Sequence, residues 1–255
     1  MSALLSIESI SLNFGGIKAV DGLSFEVEAG EVFTIIGPNG AGKTSVFNLL
    51  SRIYDATSGR ILLAGEDVTR VPAHSVAARG VARTFQNIEL FESASVLRNV
   101  LVGCHSWRST GVLRDLFFTS KVRGGERESR LYAEKVMDLL ELHAWRDATI
   151  RDLPYGVRKV VEIARALCAK PRLLLLDEPS SGLNVEETGD LAFWIQDIKK
   201  DLGVTVLMIE HDMGLVSQVS DRVLAVNSGR YLAMGTAEEV QRNPVVVEAY
   251  LGAAQ

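Results

Sequence analysis

Gly37-Pro38-Asn39-Gly40-Ala41-Gly42-Lys43-Thr44 is a complete G-x-x-x-x-G-K-[ST] pattern, and its residue types suit phosphate binding. Glycines let the backbone curl until several N–H groups point inward at phosphate oxygens. A helix-compatible run, Ser45 to Leu50, follows and would add the positive end of its dipole at Ser45. Lys43 would reach the β- and γ-phosphates, and the Thr44 hydroxyl would take a place on Mg²⁺. A plain glycine-rich turn has no use for both residues at this spacing. The implied chemistry is binding of a nucleoside triphosphate.

A second segment, Arg172-Leu173-Leu174-Leu175-Leu176-Asp177-Glu178-Pro179, adds hydrolytic chemistry. Four consecutive leucines fit a central parallel strand covered on both faces. Asp177 at its end would hold Mg²⁺ through the metal's water shell. Glu178 is the candidate to orient and deprotonate an attacking water. Solvated acids ending a strand are common, and the pair gains meaning from the phosphate loop beside it.

Strands must carry these groups. Val32 to Ile36 leads into the loop, giving a strand–loop–helix unit. Ser6 to Phe14 and Leu23 to Val27 alternate apolar and polar residues, with Gly15-Gly16 between them, and Arg60 to Gly65 is a further short strand. These predict an antiparallel β layer beside the phosphate-loop unit. From about Leu97 to Arg151 helical periodicity takes over, with Leu131, Lys135, Val136, Leu139 and Leu140 on one side of a helix. Arg108 to Arg130, with the apolar interruption Leu116-Phe117-Phe118, reads as helices and a mobile connection. After Pro171, Leu173–Leu176, Thr205–Ile209 and Arg222–Val226 alternate with helix-length segments, one striped by Leu191, Ile195, Ile198 and Leu202, which implies a parallel sheet. Asn243, Pro244 and Gly252 bound a closing helix.

The fold expected is α/β with a mainly parallel sheet. Residues 1–96 and 171–255 form the core with its antiparallel layer, and about 97–170 form an inserted α-helical subdomain. The hydrophobic content of 47% and charged content of 23% are ordinary for a soluble globular protein. No apolar stretch approaches the roughly 18–20 residues that cross a bilayer, and the N-terminus has no signal-peptide pattern. Cys104 and Cys168, far apart and without histidine clusters, are expected as free thiols in a reducing compartment. A net charge of −5 argues against a broad nucleic-acid footprint.

Four smaller features remain. Phe14 could stack on a purine base; Gln86 sits in Arg83-Thr84-Phe85-Gln86-Asn87; Leu153-Pro154-Tyr155-Gly156-Val157 precedes a helix-compatible run, Val160 to Cys168; and His211 follows a strand. Singly, each has an ordinary explanation as core packing, a surface amide, a turn or a satisfied histidine. In this order, around this loop and this acid pair, they resemble the ATP-binding-cassette ATPases over essentially the whole chain. The resemblance implies a P-loop NTPase core that binds ATP and Mg²⁺ and acts as one nucleotide-binding domain. It places adenine stacking on Phe14, coupling of the Mg²⁺–water shell to the helical subdomain and membrane partner on Gln86, and the γ-phosphate contact on His211. Mg²⁺ then falls to Thr44, Gln86 and Asp177, and catalysis to Lys43, Gln86, Glu178 and His211. The signature loop falls on Leu153 to Val157, where Gly156 would meet nucleotide held by an opposing subunit. Ser181-Gly182-Leu183-Asn184 would touch that subunit.

The departures are specific. Pro154, Tyr155 and Val157 replace the serine, glycine and glutamine of the common signature, so backbone amides near Gly156 would carry the phosphate contact. Asn184 stands where aspartate is usual. A Leu-x-Tyr-Gly signature, Ala82 to Gln86, Glu210-His211-Asp212-Met213 and the ending Asn243-Pro244 to Leu251-Gly252 are similar to ATPases of branched-chain amino acid importers. That likeness implies a cytoplasmic ATPase, peripheral on the inner face of the membrane. Its partners would be transmembrane permease subunits, a second cassette ATPase (a related chain, or a copy of itself) and, indirectly, a solute-binding protein. Lipopolysaccharide export, urea or amide uptake, and a soluble non-transport ATPase or nucleotide sensor are the competing readings.

Overall fold

The computed structural model describes residues 3–85, 88–106 and 120–252. The chain divides into two compact units, one formed by residues up to Arg83 together with those from Arg172 onward, the other by Thr84–Pro171.

In the first unit the described strands form two sheets. Ala3–Phe14 (β1) and Ile17–Glu28 (β2) are an antiparallel hairpin, extended by Ser58–Leu63 (β4) and Glu66–Asp67 (β5) in the order β2-β1-β4-β5. The inward residues of β1 change phase: Leu5 and Ile7 are buried, then Ile10 and Leu12. The cause is a register shift between Ile7 and Ile10, where Ser9 adopts a φ of +48°. One extra residue in a strand rotates everything after it to the opposite face unless the backbone absorbs it locally.

The second sheet contains Val32–Ile36 (β3), Val81–Arg83 (β6), Leu173–Asp177 (β7), Thr205–Ile209 (β8), Arg222–Asn227 (β9) and Arg230–Gly235 (β10). Its order is β10-β9-β3-β8-β7-β6, parallel except for β10, which runs antiparallel to β9. Phe33, Ile35, Leu173, Leu175, Leu207, Ile209, Leu224 and Val226 share one apolar cluster with the antiparallel sheet's inward residues and with Val46, Phe47 and Leu49 of helix α1 (Lys43–Leu50). Residues of the opposite parity, such as Leu174, Leu176, Val206 and Met208, are also buried. Burial on both faces explains why these strands read as unbroken apolar runs.

Helices Ala73–Ala78 (α2), Val185–Leu202 (α6), Met213–Val219 (α7), Ala237–Gln241 (α8) and Pro244–Gly252 (α9) complete this unit. Leu191, Ile195 and Ile198 are the buried stripe of α6, while Leu202 is half-buried. Asn184 caps this helix in a reciprocal box: its Oδ1 accepts the Glu187 N–H at 3.0 Å, and Glu187 Oε2 accepts the Asn184 N–H at 2.9 Å. At the closing helix, Asn243 Oδ1 accepts the Val245 N–H at 3.0 Å.

The second unit is helical, built from Val96–Gly103 (α3), Ser120–Leu139 (α4) and Tyr155–Leu167 (α5), with short 3₁₀ turns at His143–Trp145 and Ile150–Asp152. The apolar side of α4 matches the sequence reading in part: Val136, and Leu140 just past the helix, are buried, and Leu139 is half-buried. Leu131 is 62% exposed, and the buried positions are Ser129, Ala133, Val136, Met137 and Leu140. Leu131 and Lys135 lie off the covered side, which small Ser129 and Ala133 continue toward the helix N-terminus. A Cβ on Gly103 would lie 1.9 Å from the Arg165 carbonyl oxygen, so α3 and α5 meet where only glycine fits. Cys104 and Cys168, 64 positions apart in sequence, are both buried free thiols of this unit. A hydrogen bond with Cys104, together with burial, pushes the Cys168 thiol well above its ordinary pKa, so it stays protonated. Leu116-Phe117-Phe118 lies outside the described residues. Among those described, no helix is long and apolar enough to cross a membrane.

Candidate functional site

The phosphate loop leaves the C-terminal end of β3 and is held by close backbone approaches at both ends. A Cβ on Gly37 would lie 2.2 Å from the Val226 carbonyl oxygen of β9. Gly42 has a φ of +93°, and a Cβ there would lie 2.3 Å from the Ala19 carbonyl oxygen of β2. Within the loop the Ala41 N–H donates to Pro38 O at 3.1 Å, and the Gly229 N–H donates to Ala41 O at 2.8 Å. Helix α1 begins at Lys43, two residues before the run read from sequence, so Lys43, Thr44 and Ser45 form its first turn. No side chain caps this helix start, and the first amides of a helix have no partner within it.

Lys43 Nζ donates to Gly37 O at 2.7 Å and Pro38 O at 3.1 Å, along the loop's inner edge. Burial pushes its ammonium below the usual lysine range, against the opposing pull of Glu178 and Asp177. The lysine and the two acids therefore share one electrostatic neighbourhood, contributed by the ends of β3 and β7. Ligands of open parallel sheets bind outside such carboxyl ends of strands.

Asp177 closes β7 and is buried. Its Oδ2 accepts from Arg83 Nη2 at 2.9 Å, while Arg83 Nη1 donates to Asn48 Oδ1 and Ser51 Oγ, both at 2.8 Å. The same guanidinium lies 5.5 Å from the Phe47 ring centroid. Arg83 thus ties edge strand β6 to β7 and α1, a role its sequence position did not reveal. Removing one partner of a buried pair costs about 3–5 kcal/mol. Arg83→Met is expected to lower unfolding stability by about that much in a denaturant titration. A loss under about 1 kcal/mol would mean Asp177 does not depend on the guanidinium.

Mg²⁺ is ordinarily held by one or two carboxylates, substrate phosphates and waters, not by an all-protein cage. The site fits that pattern. Among the described residues there is no group of three or more His, Cys, Asp or Glu that could hold a metal. Asp177 supplies a carboxylate with one oxygen fixed by Arg83, and exposed Thr44 supplies a hydroxyl at the helix start.

Glu178 follows Asp177 with a φ of +49°, in the left-handed region. Such a conformation costs a non-glycine residue roughly 1–2 kcal/mol. Its N–H donates to Ile209 O at 3.0 Å, which ties the end of β7 to the end of β8. His211 stands just past β8, with an imidazole that is 59% exposed. On one side is Glu210, fully buried; on the other is Asp212, whose Oδ1 caps α7 by accepting the Gly214 and Leu215 N–H groups at 2.8 and 3.1 Å. Glu210 Oε1 accepts the Ser180 N–H at 2.8 Å, and Oε2 accepts the N–H groups of His211 at 2.9 Å and Asp212 at 3.3 Å. Sequence reasoning passed over Glu210. The available signal was the buried strand running straight into it.

Phe14 ends β1 and is 45% exposed, so it is not core packing, and its ring meets Tyr54 edge-on at 5.1 Å. Gln86 lies outside the described residues; the neighbouring Phe85 N–H donates to buried Glu162 Oε1 at 3.3 Å. Burial raises the Glu162 carboxyl above its ordinary range, partly offset by that bond. Gly156 belongs to the helical unit. The helix there starts at Tyr155 and not at Val160, so Tyr155, Gly156 and Val157 are its first turn and not a preceding loop. Extended Pro154 (φ −54°, ψ 152°) takes the cap position, and the Arg158 N–H donating to Pro154 O at 3.1 Å closes the first turn.

Comparison with known proteins extends this picture. A family profile described as "ABC transporter" matches residues 20–181, and one described as "Branched-chain amino acid ATP-binding cassette transporter" matches residues 232–255. The chain is 43% identical over 251 residues to the high-affinity branched-chain amino acid transport ATP-binding protein BraF of Pseudomonas aeruginosa, covering 98% of each. It is 41% identical over 253 residues to the LivG protein of the same description from Escherichia coli, again covering 98% of each. Among solved structures, the ADP conformation of MJ1267, an ATP-binding cassette of an ABC transporter, superposes with a TM-score of 0.85 at 30% identity, covering 99% of this chain and 100% of that one.

Proposed function

From a chain that belongs to the ABC transporter family, and is therefore an ATP-binding ATPase subunit, we infer the motor of an importer for branched-chain amino acids. The observation that carries this reading is likeness along 98% of the chain to proteins of that description, including the separate match at residues 232–255.

Phosphoryl transfer asks for positioning and charge stabilisation more than covalent chemistry. ATP lies in the loop from Gly37 to Thr44, with the Ser45 amide at the helix start and adenine on Phe14. Lys43 neutralises phosphate charge. Thr44, Gln86 and Asp177 are the residues that would hold Mg²⁺, which when bound neutralises charge developing on the phosphate oxygens. Glu178 takes a proton from the attacking water, and His211 holds the γ-phosphate. Gly156 belongs to the face that closes on nucleotide held by a second ATPase. What supports that role here, despite Pro154 and Val157, is the set of helix-start amides from Tyr155 to Val157, which carry positive potential without a serine hydroxyl.

In assembly, permease subunits hold the chain at the inner face of the membrane, and a second cassette ATPase completes the pair. The test is affinity purification of the tagged chain from detergent-solubilised native membranes, with partners identified by mass spectrometry. Recovery of multi-span permeases, a second cassette ATPase and an amino acid receptor is expected. A different membrane set would change the cargo, and a chain recovered without membrane partners would overturn the transport reading.

A further inference from the structure

Glu210 has no role in the scheme above, yet it is fully buried and both its oxygens are engaged. A carboxylate is costly to bury unless its acceptor sites are filled, and charge-assisted bonds from backbone amides are the strong way to fill them. Its donors come from two loops. Ser180 lies two residues after Glu178, and His211 and Asp212 lie on the adjacent strand's exit, with Ser180 and Glu210 30 positions apart in sequence. The neighbouring backbone reinforces the link: Asp177 pairs in register with Ile209, and the Glu178 N–H reaches Ile209 O. On the other side, the Glu210 N–H donates to Ile35 O at 3.3 Å, in the strand that runs into Gly37.

We infer that Glu210 is a positioning residue for hydrolysis: its buried carboxylate locks the loop carrying Glu178 to the loop carrying His211, while its backbone N–H registers both against the phosphate-loop strand. The inference rests on the hydrolytic reading of Glu178 and His211. It also gives the Ser181–Asn184 loop a route to His211, because Ser180 is the residue Glu210 grips. A shift of that loop pulls on the carboxylate that fixes the His211 backbone.

An amide cannot replace this acid. Glutamine has nearly the same shape but one accepting oxygen, so its NH₂ group must face either the Ser180 N–H or the His211 and Asp212 pair, donor against donor. Glu210→Gln should therefore release one loop while leaving the phosphate loop in place. Misplacement of reacting groups by about 1 Å can cost on the order of 10²-fold. The expected result for the purified full chain is a kcat lowered about 10- to 100-fold, with KM for ATP and affinity for a fluorescent ATP analogue within about threefold of wild type. The coupling is read by a double-mutant cycle. Glu210→Gln should cost less than about twofold more in the His211→Ala background if the His211 loop is the one released, or in the Glu178→Gln background if the Ser180 loop is, because a group acting through another adds little once that partner is gone.

An unchanged kcat, or a full multiplicative loss in both backgrounds, would overturn the inference. So would a loss of nucleotide affinity equal to the loss of turnover, which would mark a merely structural role. The underlying reading fails separately: His211→Ala and Glu178→Gln would then leave turnover intact by themselves.

Discussion

Glu178→Gln is expected to keep ATP affinity within about threefold of wild type and to lower turnover by a factor of about 10² or more, the range of general-base losses. The substitution is close to isosteric, and the bond that fixes this residue, its N–H to Ile209 O, uses the backbone and survives. What disappears is the proton acceptor. The strained φ of +49° places a side chain of unchanged length in the same direction, so the loss reads as chemistry and not as misfolding. Single-turnover hydrolysis on enzyme preloaded with ATP separates the two. Tight binding with a stalled chemical step is the expected pattern, and wild-type turnover would remove Glu178 from the mechanism.

Lys43→Ala should fail earlier, at binding. The ammonium lies on the loop's inner edge and is desolvated enough to lower its pKa. A hydrogen bond to a charged group contributes about 1.5–3 kcal/mol, so losing it should weaken ATP affinity about 10- to 100-fold. Equilibrium titration with a fluorescent ATP analogue measures this directly. An unchanged dissociation constant would contradict the assignment of the loop. Adenosine should bind the variant and the wild type alike, because the lysine serves phosphate and not the base.

Much of this site was legible because its chemistry is local. The loop, its strand and its helix are contiguous, and a buried parallel strand advertises itself by an unbroken apolar run such as Leu173 to Leu176. The rest depends on contacts between residues far apart in sequence. Arg83 sits on a three-residue strand, too short for periodicity to register, and its partners Asn48, Ser51 and Asp177 are 35, 32 and 94 positions away. Glu210 looked like a flank of a candidate histidine, and only the sheet shows it filled by Ser180. On α4, helical spacing groups Leu131 with Lys135, Val136, Leu139 and Leu140 on one side. Spacing identifies a face of a helix without fixing the edges of its covered stripe: Val136 and Leu140 are buried with Ser129 and Ala133, while Leu131 is exposed. At Tyr155 to Val157, a signature-like string suggested a loop, whereas the helix had already begun after Pro154.

The two cysteines have a use of their own. The chain contains no others, and both thiols are buried within the helical unit, with Cys168 held in the protonated form. An alkylating reagent added to the folded protein therefore reacts only when that unit opens, and the α/β unit contributes no background. The rate of label uptake is a clock for local unfolding. It reports on the helical unit, from the ends of α3 and α5, without introducing a probe, and allows the effect of nucleotide on that unit to be timed directly.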